Sequence, residues 1–217
     1  MQNGLQLNPD KSEALIIGTT AQLHAVASAV SSVAIASVKL PVAEEMKVLG
    51  VVLDRHLTFE KHVTMVARSC HYHAQAIRHI RHLLSTELAS TLARSLILTR
   101  LDYCNSLLHG SHTSSIQTLQ RVHNNAARIV LQAPMQCHTN PVRHRIKYKL
   151  AVMTYKIHST GLLAYINPRE TARTLHSSDT LLFTVPFTKT ELAKRAFGAQ
   201  LHLSGTHYLH SSSIAAL

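Results

Sequence analysis

The sequence predicts an α+β chain: a small antiparallel β piece, then a bundle of about four helices, then a poorly ordered tail. Three observations predict it. Apolar residues alternate with a two-residue period up to about residue 55, step by three or four from Val63 onward, and lose periodicity beyond Pro168. The implied division is residues 1–55, 56–166 and 167–217. With 217 residues, 46% hydrophobic and only 15% charged, the chain can bury a core. That composition excludes a charge-dominated disordered chain and a collagen-like or coiled-coil rod.

The β piece begins where the Asn8-Pro9-Asp10 turn leads into Leu15-Ile16-Ile17-Gly18, a short apolar run closed by glycine. Residues 19–32 read as either a helix or a loop. Val33 and Ile35 alternate with alanines, and Val38, Leu40 and Val42 continue the two-residue period. Val48 to Leu53 forms a third β-branched run after a polar Glu44-Glu45 turn. Three strands without a covering layer leave edges and apolar faces unmatched, so association through those edges is expected.

Helical spacing starts after Leu57-Thr58-Phe59. Val63, Val66, Cys70, Ala74, Ile77, Ile80 and Leu84 lie on one stripe of a long first helix. Ser85 caps a second, with Glu87 in its first turn and Leu88, Leu92 and Leu96 on its buried face, running to about Leu107. Gly110-Ser111 breaks the chain. Ile116, Leu119, Val122, Ala126 and Ile129 mark a third helix, stopped at Ala133-Pro134. Pro141 opens a fourth, carried by Ile146, Leu150, Met153 and Ile157 to Gly161 or a little beyond. A short helical stretch near Glu191 to Leu201 is the last periodic signal.

Several chemistries lack their residues. The three cysteines, Cys70, Cys104 and Cys137, form neither a disulfide framework nor a Cys-x-x-Cys, which suits a reducing compartment. Asp10, Lys11 and Glu13 precede any apolar run, so an intracellular chain, cytoplasmic or nuclear, is expected rather than a secreted one. Ala14 to Val38 has no Asp, Glu, Lys or Arg, but its Gln22, His24, alanines and hydroxyls make a poor membrane span. Metal is not expected: His79 and His82 could share a face, but no second ligand pair follows at finger-like spacing. Glu44 and Glu45, adjacent in a turn, project to different sides and do not converge on a pair of ions. There is no phosphate loop and no nucleophile elbow.

Positive charge is the better lead. Lys plus Arg number 22 against 11 Asp plus Glu, a net charge of +11 with the 17 histidines neutral. Arg145, Lys149 and Lys156 lie near one face of the fourth helix, Arg121 and Arg128 sit seven apart on the third, and Arg78 and Arg81 are on the first. These residues are either a solvated surface or a set of cations that tracks a phosphate backbone without reading sequence. The six tyrosines and four phenylalanines look scattered, with no stacking platform for single strands.

Leu7-Asn8-Pro9-Asp10-Lys11-Ser12-Glu13 precedes an apolar strand and Gly18, and Val48-Leu49-Gly50-Val51-Val52-Leu53-Asp54 comes next. Leu57-Thr58-Phe59, Arg100 to Leu108 and Leu119 to Arg128 follow in order. Together these strings resemble the reverse transcriptase of retrotransposons lacking long terminal repeats, the LINE or jockey-like class. The first is similar to the palm motif that follows the catalytic aspartates, the second to the primer-grip hairpin, the rest to the thumb.

The resemblance implies roles. Lys11 would approach the incoming triphosphate, and Leu49 and Gly50 would steady the primer end, although glycine at such a place also fits a simple bulge. Asp102 and Arg100 would fix helix packing. The family's Ala-Asp-Asp turn and its magnesium would belong before Met1, so this chain is expected to carry no catalytic carboxylates, to need no cofactor and not to polymerise alone. Binding of an RNA or DNA primer-template is the implied residual function. The rivals are an inert or protein-interacting product of a degenerate mobile-element reading frame, and a small membrane-associated helical protein. Downstream, Pro141 to Ile146, Tyr148-Lys149, Tyr155-Lys156, Leu175 to Ser178 and Arg195 to Phe197 are also similar to the family, but the tryptophans it has before Pro141 and near the end are missing.

Overall fold

Asn8 organises the first turn. Its side chain accepts from the Asp10 amide at 3.1 Å and its carbonyl from the Ser12 hydroxyl at 2.6 Å, winding Pro9–Lys11 into a 3₁₀ turn. The computed structural model describes residues 8–27, 30–35, 38–132 and 141–160. The expected helix near Glu191, the tail beyond Pro168 and the Ala133-Pro134 stop lie outside the described residues.

The described chain is α+β. Strand β1 (Ala14–Leu15) is followed by helix α1 (Thr20–Ala27), which decides the 19–32 segment in favour of a helix there. A reciprocal cap explains it: the Thr19 hydroxyl accepts from the Gln22 amide at 3.4 Å while the Gln22 side chain accepts from the Thr19 amide at 2.9 Å. Strands β2 (Ser32–Ile35) and β3 (Val38–Ala43) pair antiparallel, from Ser32↔Pro41 to Ile35↔Val38. β1 joins the far side of β3, but parallel, as Ala14↔Val42 and Leu15↔Ala43. The expected all-antiparallel piece is corrected at this pair, because α1 and β2 intervene between β1 and β3 and carry the chain back to the starting end.

A separate hairpin follows, β4 (Glu45–Val48) against β5 (Val51–Asp54). Glu44 alone forms the bend and Glu45 already belongs to a strand, so the expected Glu44-Glu45 turn is displaced. The turn is Leu49-Gly50, with φ of 48° and 83°. A two-residue loop with both φ positive matches the right-handed twist of its strands.

The described residues divide into two compact units, the first ending at His62 and the second starting at Val63. The reason lies in the first turn of α2 (Glu60–Ile80). Lys61 pairs with Glu45 at 2.5 Å, and His62 Nδ1 accepts from the Val52 amide at 3.5 Å, tying that turn to the hairpin. Asp54 shapes the connection. Its carboxylate accepts from the amides of His56, Thr58 and Phe59 and from the Thr58 hydroxyl, at 2.9 to 3.2 Å, while Leu57 and Phe59 sit at positive φ.

In the second unit the long stripe of α2 buries Val63, Cys70, Ala74 and Ile77. Ser85 caps α3 (Thr86–Ala93) as expected, accepting from the Leu88 amide. The buried face is not Leu88, Leu92 and Leu96; it is Ala89, Ala93, Ile97 and Leu101. Small alanines let neighbouring elements approach closely, and a π turn over Arg94–Leu98 keeps the next apolar residues inward before α4 (Thr99–Asp102). The helix stops at Tyr103, short of Leu107, because Cys104 takes φ 52°; a 3₁₀ turn covers Asn105–Leu108. Helix α5 (Thr113–Leu131) buries all five expected residues, and α6 (Val142–Thr160) buries Val142, Ile146, Leu150 and Thr154. No helix among the described residues is long and apolar enough to cross a membrane.

Candidate nucleic-acid interface

Charge segregates along the chain. Residues 8–62 carry five Lys and Arg against six Asp and Glu, a net of −1. The described residues of the second unit carry twelve against only Glu87 and Asp102, a net of +10. Nearly all the excess charge therefore sits on the helices.

The expected site residues divide by environment. Lys11 is exposed at the end of its 3₁₀ turn. Leu49 is 85% exposed and, with Gly50, forms the hairpin tip, so the alternative of a bulge at Gly50 gives way to a tight turn. Arg121, Lys149 and Lys156 are exposed and Arg128 is half-buried. Arg78 is exposed and donates to Asn125 Oδ1 at 3.1 Å, so one arm of its fork is engaged across to α5.

Arg81 corrects the expectation of outward charge. It is 8% exposed, and its guanidinium donates to the carbonyls of Ile129, Val130 and Leu84 and to the Thr86 hydroxyl at 2.7 to 3.2 Å. Two of those carbonyls are at the C-terminal end of α5, where a helix leaves acceptors without partners and favours a cation. Arg81 is a clasp between the end of α2 and the end of α5. It borders a groove of about 620 Å³ with Arg78, His82, Asn125 and Arg128, and the cations that reach solvent there are Arg78 and Arg128.

Arg145 is also partly spent. Nε donates to Asp102 Oδ1 at 3.0 Å and a terminal nitrogen to Asp102 Oδ2, a bidentate pair. Asp102 thus fixes helix packing as expected, with Arg145 as its partner. The pair lines a groove of about 430 Å³ with Asn105, His144, Tyr148 and Lys149. Asn105 is 3% exposed; its Nδ2 donates to Asp102, and its Oδ1 has no hydrogen-bond partner. An unmet buried acceptor costs about 1–3 kcal/mol.

Residues outside the expected contact set complete the surface. Tyr148 and Tyr155 on α6 are each 70% exposed, and Arg143 and Lys147 are exposed beside them. Their signal was the seven-residue spacing, opposite the buried Ile146 and Leu150.

Titratable groups in the cores are tuned by burial. Burial pushes the Cys70 thiol up to about 11, with Arg100 opposing, and its sulfur donates to the Ile97 carbonyl, so it is no nucleophile. Burial lowers His62, and burial with Lys147 and Arg143 lowers His109. Burial would raise the Asp54 carboxyl, but its hydrogen bonds from Thr58, Phe59 and His56 outweigh that and hold it below the usual range.

Among the described residues no group of three or more His, Cys, Asp or Glu is placed to hold a metal ion. In the hairpin unit the Asp54 carboxylate is engaged by its own loop and Glu45 by Lys61. No protein-family model, no curated protein and no solved structure matches this chain.

Proposed function

We propose that the chain is the distal palm edge and thumb of a LINE-type reverse transcriptase, retaining nucleic-acid binding and lacking polymerisation. The observation that carries the binding half of this reading is the segregation of charge, +10 on the helices against −1 on the strand-rich residues 8–62. Cations on several helix surfaces suit a phosphate backbone, where contacts confer affinity and little sequence preference. The family half is supported by the order of the strings: a palm-like lysine segment, a hairpin with Leu49-Gly50 at its tip, and then helices.

Arg121, Arg128, Arg78, Lys149 and Lys156 are the contact residues of this proposal. Arg81 and Arg145 hold the helices that carry them. If about five phosphates are neutralised, affinity falls by roughly 10² to 10³ between 50 and 200 mM salt. Titration of a labelled RNA–DNA duplex across that range tests it. A flat response, or no binding at 50 mM salt, ends the proposal, and nucleotide incorporation by the purified chain ends the claim that it does not polymerise.

One observation favours a second reading, protein association by strand addition. β2 is an edge strand that pairs only with β3 among the described residues, and its Ile35 is exposed. Oligomerisation that is independent of nucleic acid, and lost when a charge replaces Ala34 in β2, would point there.

A further inference from the structure

Helix α6 carries Arg143, Arg145, Lys147, Lys149 and Lys156 and no carboxylate. Its buried line runs through Val142, Ile146, Leu150 and Thr154. At about 100° per residue the opposite side is centred on Tyr148 and Tyr155, which fall within roughly 20° of each other and about 10 Å apart along the axis. A tyrosine ring left 70% in water at that outward pole gains nothing from the core.

We propose that this face of α6 seats an unpaired nucleic-acid strand, Tyr148 and Tyr155 each stacking one base while Lys149 and Lys156 meet its phosphates. The inference rests on the nucleic-acid reading above and deepens it by naming the form of the partner. Base stacking on an aromatic ring needs an accessible π-face and tolerates any base, and cations alongside supply the backbone contacts. Lys149 follows Tyr148 and Lys156 follows Tyr155, so each ring has a cation about 100° around the helix from it. At the B-form rise of about 3.4 Å per nucleotide, the gap between rings spans some three nucleotides, and fewer in an extended strand.

An independent observation marks the Tyr148 end. The tyrosine borders the 430 Å³ groove that Asn105 also lines, and Asn105 Oδ1 is the buried acceptor without a donor. Every base carries an N–H on its pairing edge, free only when the strand is unpaired. A base over Tyr148 brings such a donor to the groove, whereas a duplex keeps its pairing edges covered and offers only its groove edges and phosphates.

The test uses the full chain at about 50 mM salt with three labelled probes of equal length: a single-stranded DNA, the same strand made abasic, and a blunt duplex. The single strand is expected to bind more tightly than the abasic one. Tyr148→Ala and Tyr155→Ala should each weaken it roughly 5- to 150-fold while leaving the abasic and duplex affinities unchanged, and Tyr→Phe should restore it. The chain has no tryptophan, so its intrinsic fluorescence is tyrosine emission, and the single strand should quench a fraction that disappears in Tyr148→Phe/Tyr155→Phe. Circular dichroism confirms that each variant is folded. Equal binding of all three probes, unaffected by the tyrosine variants, overturns the stacking inference and leaves phosphate binding intact. Failure of every probe to bind overturns both.

Discussion

Replacing Arg81 with methionine separates a structural arginine from a binding one. The substitution keeps most of the stem's volume and removes donors to four groups, the carbonyls of Ile129, Val130 and Leu84 and the Thr86 hydroxyl. A hydrogen bond from a charged donor contributes about 1.5–3 kcal/mol, but four bonds from one guanidinium do not add in full. A charge at the C-terminal end of α5 adds about 0.5–1 kcal/mol. The expected loss is therefore about 3–5 kcal/mol, at the high end for one substitution, as breaking a buried hydrogen-bond network should be. Arg81→Lys keeps the charge and loses the fork, and is expected to lose about half as much. Urea denaturation followed by far-ultraviolet circular dichroism measures both. A loss under about 1 kcal/mol, or nucleic-acid affinity that falls while stability holds, would refute the clasp and return Arg81 to the binding surface.

Asp102→Ala and Arg145→Ala, combined in a double-mutant cycle, should give a coupling near 1 kcal/mol, the upper end for partly exposed pairs; a value under about 0.3 kcal/mol contradicts a bidentate contact. His62 is held neutral by burial, with a folded-state pKa below 6.5. The unfolded chain then binds the extra proton, so stability is complete above about pH 6.5 and declines as pH falls toward the folded value. Protonating Nδ1 also removes the acceptor for the Val52 amide, so Val52 should exchange its hydrogen faster at pH 5.5 than exchange chemistry alone predicts, and His62→Gln should abolish that excess. Gly50→Val, placed at φ 83°, is expected to cost about 1–2 kcal/mol, and an unchanged melting temperature would argue against the turn. Cys70, fully buried with its thiol near 11, should resist a thiol reagent in the native chain and react on unfolding; prompt labelling would show the core is open.

Much of the fold was legible because periodicity is a burial signal. The α5 stripe from Ile116 to Ile129 was readable as written, since each residue faces one core. Elsewhere the signal was present but weak. Thr19 and Gln22 spell a capping box that leaves α1 unambiguous in hindsight, yet the alanine-rich segment lacks an apolar stripe to go with it. On α3 the leucines attract the eye, while the alanines at 89 and 93 are buried, because close packing selects small volume rather than hydrophobicity. For the site, charge on the helices was visible residue by residue. The role of Arg81 was not, since a cation four residues beyond Ile77 reads as surface until α5 offers it carbonyls.

The π turn at Arg94–Leu98 closes with the Thr99 amide bonded to the Arg94 carbonyl, five residues back. Buried residues on this segment recur every fourth place, at 89, 93, 97 and 101, and twelve residues of ordinary α-helix overrun three full revolutions by about 120°. The wider loop absorbs part of that overrun, much as a leap day corrects a calendar. Excising Ser95, which is exposed, should therefore relax the loop into plain α-helix and leave everything beyond it facing as before. A shortening that would scramble most helices becomes, at this one place, a change the chain can survive.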